Sequence, residues 1–336
     1  MSQRRPPLEV EGRRTVPAGQ AIIVALIAML VASFLNADSL VASIEGQSFG
    51  TSRSVGLALA RPVRTVSHWT GLNLPRKLID DITSPPPRAP VAAVLPRHPP
   101  ATTSTGTPAP TTTTTTPTTR RVPTAQQPLK VWLAGDSLMG TIAESFADKT
   151  AGNSLFTSSQ DFRIGTGLTR PDVYNWPGAV SREIATNNPD VVILVFGTND
   201  DQDMETGGHR VSLQSDAWKE EYVLRVNQIL DATANGVRQV IWLGLPAVRR
   251  PRLNVTKDYI NIILKAAVAK HPNSTFVDTG PLLDGAGNSF TTYLTNSGGK
   301  AITVRESDGI HITLAGADLV TPVLLADINQ LWHLPH

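Results

Sequence analysis

KVWLAGDSLMG, Lys130 to Gly140, runs from a continuous apolar stretch through Gly135-Asp136-Ser137 into an amphipathic segment, SLMGTIAESFAD. An apolar run that stops at a glycine and hands over to a helix reads as the first strand of an α/β unit. The same alternation recurs downstream. FRIGTG, DVVILVFG, RQVIWLGLP and TFVDTG supply four more apolar runs. DAWKEEYVLRVNQILDATAN, TKDYINIILKAAVAKH and LAGADLVTPVLLADINQLW supply amphipathic partners. Unbroken apolar strands alternating with helices predict a three-layer α/β/α domain over residues 129–336, with a five-stranded parallel sheet covered on both faces. Ligands in such folds sit beyond the C-terminal ends of the strands. The residues just after each strand are therefore the candidates for chemistry.

Composition limits that chemistry. The 336 residues include no cysteine, which excludes disulfides, thiolate nucleophiles and Cys-ligated metals. The net charge of +2 hides an asymmetry: residues 1–128 carry 13 Lys and Arg against 6 Asp and Glu, and residues 129–336 the remaining 17 against 22. A mildly acidic globular part is a poor match for nucleic acid, whose phosphates demand clustered basic residues.

Ahead of the domain the chain changes character three times. Residues 1–14 hold Arg4, Arg5, Arg13 and Arg14 and read as a basic cytoplasmic N-terminus. Thr15 to Ala37 carries no charge around AIIVALIAMLVASFL. As a helix it would be about 34 Å long, enough to cross a hydrocarbon core of about 30 Å, so a signal-anchor transmembrane helix is expected over 15–37. Arginines before it and none just after predict a single-pass topology with the remainder outside the cytoplasm. The competing reading, a cleaved signal peptide, puts Leu35 at the −3 position for a cut after Ala37, where a small residue is required. Residues 38–83 read as a partly helical juxtamembrane segment broken at Pro62 and Pro75. Residues 84–128, rich in Pro and Thr, read as an extended disordered linker, since this composition cannot bury a core.

Four strand-end segments then stand out: Gly135-Asp136-Ser137, Gly165-Thr166-Gly167, Gly197-Thr198-Asn199-Asp200 and, before the last helix, Asp308-Gly309-Ile310-His311. A serine hydroxyl needs an adjacent base to attack a carbonyl, and histidine is suited to that near neutrality. A carboxylate must hold the imidazole in the right tautomer, and Asp308 lies three residues before His311. The oxyanion needs donors, which the Ser137 and Gly167 N–H groups and the Asn199 amide can supply. Each segment has a plainer reading too: Ser137 as a helix N-cap, and Gly-Thr-Asn-Asp as a turn.

GDSL at 135–138, the glycine of GTGLT at 165–169, GTND at 197–200 and DGIH at 308–311 resemble, in order, the four blocks of the SGNH/GDSL hydrolase superfamily. The resemblance implies a flavodoxin-like fold, a Ser137–His311–Asp308 triad and an oxyanion hole of Ser137, Gly167 and Asn199, with no cofactor and no metal. Gly167 is chosen over Gly165 because Thr169 follows it by two residues. TGLTRPDVYNWPG at 166–178, GTNDDQDM at 197–204 and a helix bearing Trp218, Tyr222 and Arg225 resemble a bacterial cell-envelope branch. Its members are often N-terminally anchored and found beside membrane acyltransferases, which implies an acyltransferase partner. The absence of Gly-x-Ser-x-Gly, Gly140 falling three residues after Ser137, argues against the α/β-hydrolase fold. The expected function is a membrane-tethered extracytoplasmic esterase acting on O-acyl esters of envelope polysaccharide. An O-acyltransferase with the same triad and a glycan-binding module with a relic triad are the alternatives.

Other side chains have competing readings. Asp200, Asp201, Asp203 and Glu205 form either a cation site or a solvated acidic loop. Arg249, Arg250 and Arg252 read as a solvated loop or an anionic-glycan contact, and Trp176 and Trp218 as core or as sugar-stacking residues.

Overall fold

The computed structural model describes residues 18–45, 51–72, 74, 120–234, 238–296 and 298–334. The basic segment 1–14 and most of the Pro/Thr-rich linker lie outside them. The chain divides into two compact units, Met1–Pro90 and Val91–His336.

The first unit contains three helices, α1 (Ala18–Leu35), α2 (Ala37–Glu45) and α3 (Thr51–Thr70). The expected span over 15–37 is corrected here: among the described residues no helix is long and apolar enough to cross a membrane. The apolar helix α1 has 18 residues, about 27 Å, and the chain turns at Asn36 into α2. A hydrocarbon core of about 30 Å is slightly longer than that. The expected break at Pro62 is corrected as well, because α3 continues through it. Pro62 and Ala58, whose carbonyl loses its partner, are both exposed, so water can take that bond. Val41, Leu57 and Ala60 pack α2 against α3.

The second unit is built on β1 (Leu129–Gly135), β2 (Phe156–Phe162), β3 (Val191–Val195), β6 (Gln239–Leu243) and β7 (Ser274–Val277), in spatial order β2-β1-β3-β6-β7. Every neighbouring pair is parallel. Strands β3 and β6 are buried along their whole length, as their apolar runs require. Strand β2 differs from expectation: it is FTSSQDF, and Arg163 to Gly167 form the loop after it. As a mostly exposed edge strand it carries no continuous apolar signal.

Helices α4 (Leu138–Thr150) and α9 (Leu314–Trp332) pack together, and α5 (Trp176–Asn187), α6 (Asp216–Thr233) and α7 (Pro251–Val268) pack in succession. Right-handed crossovers put these two groups on opposite faces of the sheet. Helix α5 was not expected from apolar periodicity, yet its entry is well marked. Asn175 caps it by accepting from Gly178 N at 3.0 Å, and Pro177 sits in the first turn. Ser215 and Thr313 cap α6 and α9 in the same way. Two short hairpins, β4 (Met204–Thr206) with β5 (His209–Val211) and β8 (Tyr293–Thr295) with β9 (Ala301–Thr303), and a one-turn helix α8 (Gly280–Leu283) complete the unit. Trp176, Phe196 and Trp242 form a chain of rings through the core, with centroids 4.8 and 5.7 Å apart.

The strand order reverses direction between β1 and β3. The carboxyl ends of these two strands, Gly135 and Val195, are register partners. The crevice that such a switch point opens is the expected ligand position.

Candidate active site

Asp136 leaves the end of β1 fully buried. One carboxylate oxygen accepts from Leu138 N at 3.0 Å, and the other accepts from the Thr198 hydroxyl at 2.6 Å and from Gly197 N and Thr198 N at 3.1 Å. Burial pushes this carboxyl up to about 6 against the opposing pull of those hydrogen bonds. Asp136 therefore fastens the β1 end to the β3 end and takes the first free N–H of α4.

Ser137 is thereby released from capping. It has helical φ and ψ of −62° and −22° and makes no side-chain cap. Its Oγ lies 2.8 Å from His311 Nε2, across 174 residues of sequence. His311 Nδ1 lies 2.6 Å from Asp308 Oδ2. The other Asp308 oxygen accepts the backbone N–H groups of Ile310 (2.8 Å) and His311 (3.0 Å). Desolvation raises the Asp308 pKa, but the bonds from His311, Ile310 and the imidazole charge outweigh it, and the carboxyl is held down to about 2. An ionised carboxylate only accepts, so Nδ1 carries a proton toward Asp308 and Nε2 is the ring nitrogen left to face the serine hydroxyl.

The hairpin that carries this pair is anchored beneath by residues that sequence reading missed. Arg305 bridges Ile312, and Glu306 N donates to His311 O at 2.8 Å. The fully buried Arg305 guanidinium pairs with buried Asp284 at 2.9 Å, and Asp284 also accepts Ala247 N. Arg249, read in the sequence as a solvated loop residue, clamps the hairpin from the side. Its backbone N–H donates to Gly309 O at 2.9 Å and its Nη1 to Ser307 O at 2.7 Å.

Asn199 brings the second and third blocks together: its Nδ2 donates to Thr166 O at 2.8 Å. Asp200, expected in a solvated acidic loop, is fully buried. It accepts from Leu168 N, Thr169 N, the Thr169 hydroxyl and the Tyr222 hydroxyl at 2.7–3.0 Å. Burial and the Asp200 charge keep the Tyr222 hydroxyl protonated, its pKa raised well above the usual phenol value. The two candidate glycines are separated by these contacts. Gly165 is exposed in open space with φ +73°, a turn glycine. Gly167 is buried, and a Cβ there would lie 2.2 Å from Asp200 Oδ1. Among the described residues the Ser137 and Gly167 N–H groups have no backbone acceptor.

The remaining acidic residues do not converge. Asp201 accepts from the Thr256 hydroxyl, Asp203 pairs with Arg210, and Glu205 is exposed. Trp176 and Trp218 are fully buried core residues, Trp218 stacked on Tyr222 at 4.7 Å. Arg225 donates to Leu168 O at 2.6 Å, so the Trp218–Tyr222–Arg225 face of α6 supports the block-two loop.

Residues 130–327 match the family described as Protein of unknown function (DUF459). The chain belongs to this family. In this member the four strand-end blocks meet at the switch point. Solved structures similar to the DUF459 chain include an acetylxylan esterase from Geobacillus stearothermophilus. It shares 16% identity with a TM-score of 0.43, over 62% of this chain and 97% of that one. A GDSL-like lipase from Bacteroides thetaiotaomicron shares 16% with a TM-score of 0.42, over 60% and 88%. No curated protein matches the chain.

Proposed function

We propose that this protein is a serine esterase that removes acyl groups, O-acetyl above all, from cell-envelope polysaccharide. The observation that carries the reading is the unbroken hydrogen-bond chain Ser137–His311–Asp308. In the proposed reaction the Ser137 oxygen bonds to the ester carbon while its proton passes to His311 Nε2. Asp308 stabilises the imidazolium so formed. The oxyanion takes the N–H groups of Ser137 and Gly167, and the Asn199 amide in exchange for its long 3.4 Å bond to Thr198 Oγ1. Collapse breaks the ester C–O bond, and the departing sugar hydroxyl takes the proton from His311. Water, deprotonated by His311, then attacks the acyl-serine and releases the carboxylic acid with Ser137 restored.

The side chains of Asp308 and His311 are 46% and 38% exposed, which supports hydrolysis over transfer to a second hydroxyl, because transfer depends on excluding water. The exposed apolar side chains of α1, such as Ile23 and Leu26, support attachment to a bacterial cell membrane.

The full-length protein is expected to release p-nitrophenol from its acetate and to bind a fluorophosphonate at Ser137. Ser137→Ala should reduce turnover by a factor of about 10³ or more. Equal turnover by the variant would sink the esterase, and recovery of the protein in the soluble fraction of lysed cells would sink the attachment.

A further inference from the structure

Two cavities adjoin along the carboxyl edge of the sheet. The smaller, about 20 Å³, is bounded by Thr198 and Ile310, the neighbours of Asn199 and His311. The larger, about 270 Å³, lies over the ends of β6 and β7. Leu245 and Lys257 line both, so the larger cavity continues away from the proposed reaction centre.

Its wall decides what it can hold. Lys257 and Lys265 contribute two positive charges, and Asp258 and Asp278 two negative ones. A third carboxylate, Asp284, is already offset by buried Arg305. The wall is thus close to neutral, with no field that would draw a polyanion. Lys257 is paired with Asp258 at 2.7 Å. Lys265 and Asn288 have no side-chain hydrogen-bond or ion-pair partner among the described residues, and the hydrogen bond to Asp278 comes from Gly280 N alone. Free donors and acceptors of both kinds therefore stand beside apolar Leu245, Ile262 and Phe276. Alternating hydroxyl and C–H surfaces are the chemistry that fits such a wall, and the volume suits a sugar ring or two.

We infer that the cavity over β6 and β7 is a subsite for uncharged sugar residues of the ester-bearing polysaccharide, read by Lys265, Asp278 and Asn288. The inference rests on the esterase reading only for the identity of the scissile group. Binding alone tests it, with no turnover needed. Cellotetraose and chitotetraose, titrated calorimetrically into the full-length protein, should bind, and Asp278→Ala/Asn288→Ala should weaken that binding at least tenfold. The ratio of kcat/KM for an acetylated oligosaccharide to that for p-nitrophenyl acetate should fall by a similar factor. Absence of binding, unchanged binding in the double variant, or tetragalacturonate binding ten times tighter than the neutral oligosaccharides would each overturn it. A protein that binds the neutral oligosaccharides but hydrolyses no ester would overturn the esterase reading and leave the subsite standing.

Discussion

Asp136 and Asp308 are two carboxyls driven in opposite directions by their surroundings. Asp308 is held down to about 2, so whatever it contributes is present above about pH 4 and is lost only as pH falls through 2. Its orientation of His311 is therefore constant across the physiological range. Asp136 is raised by burial to about 6, above the value of about 3.9 in an unfolded chain. The folded state binds its proton more tightly between those two values, so stability falls as pH rises from about 4 to 6, by about 2–3 kcal/mol for this group. Chemical denaturation at pH 4 and pH 7 should show that decline in the native protein and a flatter one in Asp136→Asn. A stability difference between the two proteins that stays constant over this range contradicts the assignment. Ser137, Asn199, Asp308 and His311 could be singled out in the sequence because they stand in four ordered blocks at strand ends and beside a tight turn, each ambiguous when taken alone. Asp136, Asp200, Asp284 and Arg305 were not, because their roles come from what folds over them. Nothing within a few residues of Asp200 announces Tyr222 or Thr169.

At the level of elements, the block-two loop is held by its neighbours rather than by its own sequence. Gly165→Ala asks only for a left-handed alanine in open space and should cost about 1 kcal/mol. Gly167→Ala drives a methyl into the carboxylate that holds Leu168 and Thr169, and should cost about 2–4 kcal/mol. Urea midpoints for the two variants check this, and equal losses would mean that Asp200 does not grip the loop. Strands β1, β3 and β6 and helix α9 were readable because burial on both faces, or a full amphipathic stripe, writes a long regular pattern. Strand β2 was displaced because an exposed edge needs no apolar residues. Helix α5 was hidden in a stretch whose Asn175 and Pro177 also suit a loop. The N-terminal apolar segment was overestimated because counting uncharged residues does not reveal where the backbone turns, here at Asn36.

Across the whole molecule the nucleophile and its base come from opposite ends of the catalytic unit, and α9 joins them. Ser145 on α4 bonds Asp318 and Thr321 on α9, each at 2.7 Å, and Thr141 donates to the Ile312 carbonyl. Ending the chain at Val304 removes the hairpin and α9 together and should abolish fluorophosphonate labelling of Ser137. Labelling at the full-length rate would show that the hydroxyl reacts without its imidazole.

The separation of 174 residues between Ser137 and His311 also has a meaning in time. Synthesis at about 5–20 residues per second leaves the serine waiting roughly 10 to 35 s for the histidine to be made. A growing or prematurely terminated chain thus carries a disarmed hydroxyl past every ester it meets. Reactivity becomes a property of a chain that has been translated past His311, not of the serine segment alone.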